Sequence, residues 1–196
     1  MGEPPLTVRL ATERDQATII ALLDAAATWL RTQSTNQWAK PWRTDEDRRA
    51  RISHDLLASK TWVVYDGAAP VGTFTADRKH DHQEIRVWPE YSLGEPAVYV
   101  CRLTVHRSHS GHGFGAALLD WIGLAARRRY GAEWIRVDVW STNDKLRRYY
   151  EQQGFEFYDD SVDPSYPSGA LFQKPTGAIE PAEPALFHVE GPGELG

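Results

Sequence analysis

Cysteine occurs once, at Cys101, so no intramolecular disulfide framework can staple this chain, and a reducing compartment suits it. Basic blocks are short, the longest being RRR at 127–129, and the net charge is −5. That balance argues against nucleic acid as a partner. No run reaches the roughly 18 apolar residues that a membrane span needs, so no membrane partner is expected. The opening MGEPPLTVRL is acidic and proline-rich, with no apolar stretch of the kind a signal peptide carries. It also lacks the Ser or Thr that a myristoylation signal prefers. A cytoplasmic protein is the expectation. The P-loop pattern G-x-x-x-x-G-K-[ST] is absent, and no internal repeat is visible.

What is present suits a soluble domain. Of 196 residues, 41% are hydrophobic and 25% charged, enough to build a core and keep a polar surface. LTVRLA (6–11) alternates like a strand. Thr12 then caps a helix that places Ile19, Leu22, Leu23 and Ala26 on one face. Residues 31–42 form a polar loop with two tryptophans. Thr44 is the N-cap of a second helix over 44–59, with Asp45, Glu46 and Asp47 in its first turn. Residues 61–77 read as a hairpin around DGAAP, and 97–105 as a long strand. A glycine-rich segment leads into a helix that ends near Tyr130, with Gly131 just past it. A strand (133–140), a short helix stopped by Gly154, a strand in FEFYDD and a last strand at 169–174 follow. The order β-α-α-β-β-β-α-β-α-β-β predicts an α/β fold with a single mixed sheet flanked by helices. The domain is expected to span 1–175. Residues 176–196, rich in Pro, Gly and Glu, read as a tail mostly without fixed structure, in which ALFHV could dock somewhere.

HSGHGFGAAL (109–118) sets Gly111, Gly113 and Gly115 at alternate positions between a strand and a helix. A glycine-rich turn into a helix N-terminus offers unpaired N–H groups, the positive end of the helix dipole and space free of Cβ atoms. It therefore suits a phosphate-bearing ligand, and a pyrophosphate in particular. GHGFGA also fits the dinucleotide fingerprint G-x-G-x-x-A, but that motif normally opens a doubly wound domain with further βαβ units after it. Only about 60 folded residues follow here, which disfavours a dinucleotide-dependent oxidoreductase.

In WSTNDKLRRYYEQQGFEFY, Asn143 opens a helix, Tyr150 stands seven residues on, and Gly154-Phe155 follows. With the upstream strand and glycine loop, this order resembles the GNAT family of acyl-CoA-dependent N-acetyltransferases. The resemblance covers roughly residues 6–174 and is most specific over 97–158. It implies direct attack of an amine on an acetyl-CoA thioester, with no metal. It implies that Leu103, Thr104 and Val105 bond the pantetheine arm as an added strand, with an amide near Leu103 for the oxyanion. It implies that Ser110, Gly111, His112, Gly113, Phe114, Gly115 and Ala116 hold the pyrophosphate. Asn143 would hold the cofactor or serve as a plain N-cap. Tyr150 would be the general acid for the departing thiolate, and Tyr149 a packing residue. The family usually has Gln or Arg at the head of the loop, where this chain has Ser110. Arg107 or a nearby histidine would replace that contact.

Trp29, Gln37, Trp38 and Trp42 lie where the family's first two helices border the acceptor, as an aromatic wall for an ammonium group. Tyr99 joins them on the substrate side. Asp77, His80, His82, Glu84 and Tyr99 are candidates for the base that takes the amine's proton, and the residues alone do not select among them. His106, His109 and His112 stand three apart, but no Cys or acid completes a metal set. Three functions follow in order of fit: transfer of acetyl to a small-molecule primary amine by a monomer or homodimer, a non-catalytic acyl-CoA-binding or sensory module, and the oxidoreductase.

Overall fold

A computed structural model of the chain describes residues 6–39, 44–78, 87–160, 166–182 and 185–191. The elements run β1 (Leu6–Leu10), α1 (Gln16–Leu30), α2 (Asp45–Leu57), β2 (Thr61–Asp66), β3 (Ala69–Asp77) and β4 (Ala97–Val105). Then come α3 (Phe114–Tyr130), β5 (Trp134–Val139), α4 (Asp144–Gln152), β6 (Glu156–Asp159), β7 (Ala170–Pro175) and β8 (Phe187–Glu190). The eight described strands form one mixed sheet in the order β6-β7-β5-β4-β3-β2-β1-β8.

Strand alternation divides the core. Trp62 and Val64 of β2 pack with Leu118, Leu119, Ile122 and Ala126 of α3. Val63 between them packs with Ile19, Leu22 and Leu23 of α1 and Ile52 and Leu56 of α2. Helices α1 and α2 thus cover one face, and α3 covers the other. The predicted stops hold: Thr44 Oγ1 accepts the Asp47 amide at 3.0 Å, and Gly131 ends α3 at φ +70°.

The described residues of the segment read as a tail, 176–182 and 185–191, are folded onto the domain, which corrects the expectation for that part of it. Thr176 is buried and donates its hydroxyl to the Ala132 carbonyl at 2.6 Å. Ile179, also buried, lies against Gly123 of α3. The stretch ALFHV carries β8, which pairs in parallel with β1, and Phe187 packs edge-on to Phe114 at 5.7 Å. Few apolar residues are present there, but Ile179 meets α3 and Phe187 lies at the open edge of β1 against Phe114. Spacing along the chain does not reveal such isolated anchors.

One irregularity shapes the site. Parallel strands β4 and β5 pair from Ala97↔Trp134 to Val100↔Val137, and no further. On its other side β4 carries an extra residue against β3, between Thr73↔Thr104 and Thr75↔Cys101. Arg102, at that bulge, has φ +51°, rare for a residue with a Cβ. The bulge turns the second half of β4 away from β5, and the sheet forks.

Candidate active site

The fork opens into a cleft of about 1560 Å³, bordered by β4, the glycine loop, the start of α4, and the first two helices with their connecting loop. Leu103, Thr104, Val105, Ser110, Gly111, Gly113, Phe114, Gly115, Asn143 and Tyr150 all line it. Trp29, Gln37 and Trp38 line the opposite wall. His112 and Ala116 belong to the loop and the first turn of α3 without lining the cleft, and Trp42 lies outside the described residues.

The glycines have distinct reasons. Gly111 and Gly113 sit at φ +88° and +74°, and a Cβ on either would enter open space. Backbone conformation requires them, and the space beside them is left for a ligand. Gly115 has no positive φ; a Cβ there would stand 3.1 Å from the Tyr149 hydroxyl. The amides of Phe114, Gly115 and Ala116 precede the first α3 bond at the cleft, Ala117 N–H to Gly113 O at 2.9 Å. They form the donor end of a 17-residue helix. Phe114 contributes only backbone, because its ring turns into the core. Ser110 donates its hydroxyl back to the Arg107 carbonyl at 2.9 Å.

Tyr150 is half-buried, its ring against Phe155 at 5.3 Å and Phe172 at 6.2 Å. Burial pushes its phenol well above the ordinary value of 10, and negative charge on Tyr149 or Asp138 pushes the same way. The hydroxyl is therefore held as a proton donor. Tyr149 also lines the cleft, so the two adjacent tyrosines do not divide into one facing the site and one packing.

Other expected roles change. Asn143 accepts the Leu146 amide at 3.1 Å and donates to Gln37 Oε1 at 2.6 Å. Its amide caps α4 and pins the 31–39 loop, so both ends of the Asn143 amide and the Gln37 Oε1 acceptor are committed to that bond pair. Trp29 carries the Arg107 guanidinium over its ring at 4.3 Å, which works against an ammonium on that face. Trp38 packs partly against the α1–α2 core. Tyr99 is absent from the cleft: it is buried beside Trp88 and accepts from Arg136 Nη1 at 3.0 Å. Alternation along β4 places it under the fully buried Arg136, where it serves packing rather than substrate. Asp77 pairs with Lys60 at 2.5 Å outside the cleft, and His80, His82 and Glu84 lie outside the described residues. His106 and His109 flank the Ser108 hydroxyl at 2.8 Å each, and His109 reaches Asp66 at 3.1 Å.

The cleft also contains residues that motif reading missed. Arg51, His54 and Arg102 line one wall around Asp55, which is 2% exposed and bonds all three. Asp138 of β5 and Tyr166 line the fork, with the Tyr166 hydroxyl donating to Asp138 Oδ2 at 2.8 Å. Burial, and then the charge of Asp138, pushes the Tyr166 phenol far above its ordinary range. The available signal was an acid inside the apolar run WIRVDVW. Among the described residues, no group of three or more His, Cys, Asp or Glu side chains is arranged to hold a metal ion.

The family model for the acetyltransferase (GNAT) family matches residues 23–155, two thirds of the chain and most of the forked site, with Tyr166 lying beyond it. The chain belongs to the GNAT acetyltransferase family. This GNAT protein is 29% identical over 158 residues to the uncharacterized N-acetyltransferase YesJ of Bacillus subtilis, covering 75% of this chain and 79% of that one. Its fold matches a GNAT acetyltransferase of Listeria monocytogenes with TM-score 0.67 at 20% identity, over 87% of this chain and 94% of the other. It also matches aminoglycoside acetyltransferase AAC(6')-Ib, solved with coenzyme A and kanamycin. There the TM-score is 0.65 at 22% identity, over 88% of this chain and 96% of the other. The dinucleotide reading of GHGFGA falls: after α3 and β5, this GNAT fold continues with α4 and the antiparallel pair β6 and β7. No helix among the described residues is long and apolar enough to cross a membrane.

Proposed function

We propose that this GNAT acetyltransferase moves an acetyl group from acetyl-CoA to the primary amine of a small molecule. The observation that carries the reading is the fork between β4 and β5, which ends between the α3 N-terminus and the Tyr150 phenol. Past Val100, β4 has no partner on the β5 side, so its backbone groups can bond an extended pantetheine arm. The amides at the start of α3 suit the pyrophosphate. An amide near Leu103 suits the oxyanion of the tetrahedral intermediate. Tyr150 gives its proton to the sulfur as the C–S bond breaks; the phenol is the weaker acid, so the transfer is drawn by collapse of the tetrahedral intermediate to the carbonyl and not by the two pKa values.

The size of the cleft supports a discrete acceptor rather than an extended polymer, since loop 31–39 is bonded across its mouth. Asn36 Oδ1 accepts from Trp140 Nε1 at 2.8 Å and Thr142 Oγ1 at 2.9 Å, beside the Gln37–Asn143 bond. The aminoglycoside enzyme, solved with kanamycin, is a fold neighbour whose ligand is a small polyamine. The test is thiol release from acetyl-CoA against a panel of small primary amines and short peptides, with the product identified by mass. Acetylated small amines are expected. Turnover of peptide N-termini alone would overturn the small-molecule assignment.

A further inference from the structure

The reading above leaves the amine's proton without a destination. An aliphatic amine resembles lysine, with a pKa near 10, so about one molecule in a thousand is neutral at pH 7. Among the described residues, the proton acceptors that line the cleft are Asp47, His54, His106, Asp138 and Asp144. Asp47 accepts the Thr44 hydroxyl at 2.9 Å, at the exposed start of α2. His54 is bonded to Asp55. His106 belongs to the turn before the glycine loop, and Asp144 is exposed at the start of α4. Asp138 differs in position.

The last ladder pair of the fork is Val100↔Val137. Cys101 and Asp138 are the next residues on the two strands, so Asp138 stands at the apex of the split. Ile135, Val137 and Val139 point into the α3-side core, with Tyr150 packed against that cluster. Arg136 and Asp138 therefore point to the opposite, α1–α2 face. A thioester threaded through the fork would have the phenol on one side and the carboxylate on the other. That is the arrangement required to protonate sulfur and deprotonate nitrogen at one carbon.

We infer that Asp138 is the proton acceptor for the attacking amine and that Tyr166 positions its carboxylate; the inference rests on the primary-amine reading. The ammonium gives one proton to Asp138, which passes it to solvent. The nitrogen lone pair forms the C–N bond as the carbonyl π pair moves to oxygen. The oxyanion then re-forms C=O, the C–S bond breaks, and the sulfur takes the Tyr150 proton. Nitrogen's remaining extra proton replaces it on Tyr150, so one proton is released per turnover. The titratable and charged groups facing Asp138 include Cys101 and Arg102 from β4, Tyr150 from α4, and Tyr166 ahead of β7. Burial holds the Cys101 thiol up at about 11, so it does not compete as a base near neutrality.

The test is Asp138→Asn assayed with two acceptors: an alkylamine, protonated at pH 7, and an alkoxyamine, already neutral there. With the alkylamine, kcat/KM is expected to fall by about 100-fold or more. Its logarithm should then climb with unit slope to the pKa of the amine itself. With the alkoxyamine the loss should stay below about fivefold, since no proton need leave before attack. Tyr166→Phe removes the hydrogen bond that orients the Asp138 carboxylate, so kcat/KM for the alkylamine should fall more than kcat/KM for the alkoxyamine. Equal losses for the two acceptors, or no loss, would overturn the assignment while leaving the amine reading intact. Wild-type protein inert to every primary amine would overturn that reading first, and this one with it. Should Asp138→Asn fail to fold, Tyr166→Phe decides by the same comparison: equal losses for the two acceptors, or none, reject Asp138.

Discussion

The Tyr149 hydroxyl stands 3.1 Å from the point that a Cβ on Gly115 would occupy. Helix α4 therefore reaches the N-terminus of α3 through the Tyr149 side chain, and Gly115 is small for its neighbour's sake. Alanine at a helical glycine ordinarily stabilises by about 1 kcal/mol. In this protein the contact should cancel that gain. Urea denaturation of Gly115→Ala, Tyr149→Phe and the double variant should show the alanine about 1 kcal/mol more favourable once the hydroxyl is gone. Additive effects would show that the hydroxyl moves aside freely.

Tyr150→Phe keeps the ring stacked on Phe155 and Phe172 and removes only the proton donor. We expect kcat to fall by about 10²–10⁴, with acetyl-CoA affinity changed by less than about 1 kcal/mol. Because burial raises the phenol above its ordinary range, the acid stays protonated through pH 10, and wild-type kcat should show no alkaline loss below that pH. A falling limb near pH 8 would assign the acid elsewhere. Tyr149→Phe is no neutral control here, since Tyr149 lines the same cleft.

Gly113→Val places a branched side chain at φ +74° beside the donor end of α3. Acetyl-CoA affinity measured by calorimetry should weaken at least about tenfold, or 1.4 kcal/mol, with the fold retained. Unchanged affinity would remove the pyrophosphate from this loop.

Deleting residues 178–196 removes buried Ile179 and Phe187 and exposes the edge of β1. Burial of each side chain contributes about 1.5–3 kcal/mol, so a loss of at least about 3 kcal/mol is expected. For a chain of this length that corresponds to a Tm lower by about 6–12 °C. A melting curve superimposable on that of the full chain would return these residues to the role of a tail.

Asp55→Asn tests the wall that holds the β4 bulge. It leaves Arg102 without its carboxylate on a bulge that already sits at φ +51°. Breaking such a pair from one side costs about 3–5 kcal/mol, to be read as a lower denaturation midpoint with unchanged slope.

Local physics was legible in the chain. Alternation marked β1 and β-rich runs the strands after it, apolar spacing marked the first helix, and Thr44, Asn143 and Gly131 bounded helices where capping chemistry requires. Gly111 and Gly113 declared a turn free of Cβ atoms before a helix, and the spacing from Asn143 to Gly154 pointed to the family. Each of these signals lives within a few residues. The tertiary structure decided whatever depends on strands distant in sequence. The bulge at Arg102 parts β4 from β5, and only that parting brings Asp138 to the apex beside Tyr166. Tyr99 lies two residues before Cys101 on the same strand, yet it falls where β4 and β5 are still paired and is enclosed with Arg136. Strand β8 formed because β1 offered an open edge and α3 a gap for Phe187. Neither condition can be read from residues 176–196 themselves, because strand pairing is a property of two segments and a one-dimensional pattern describes only one.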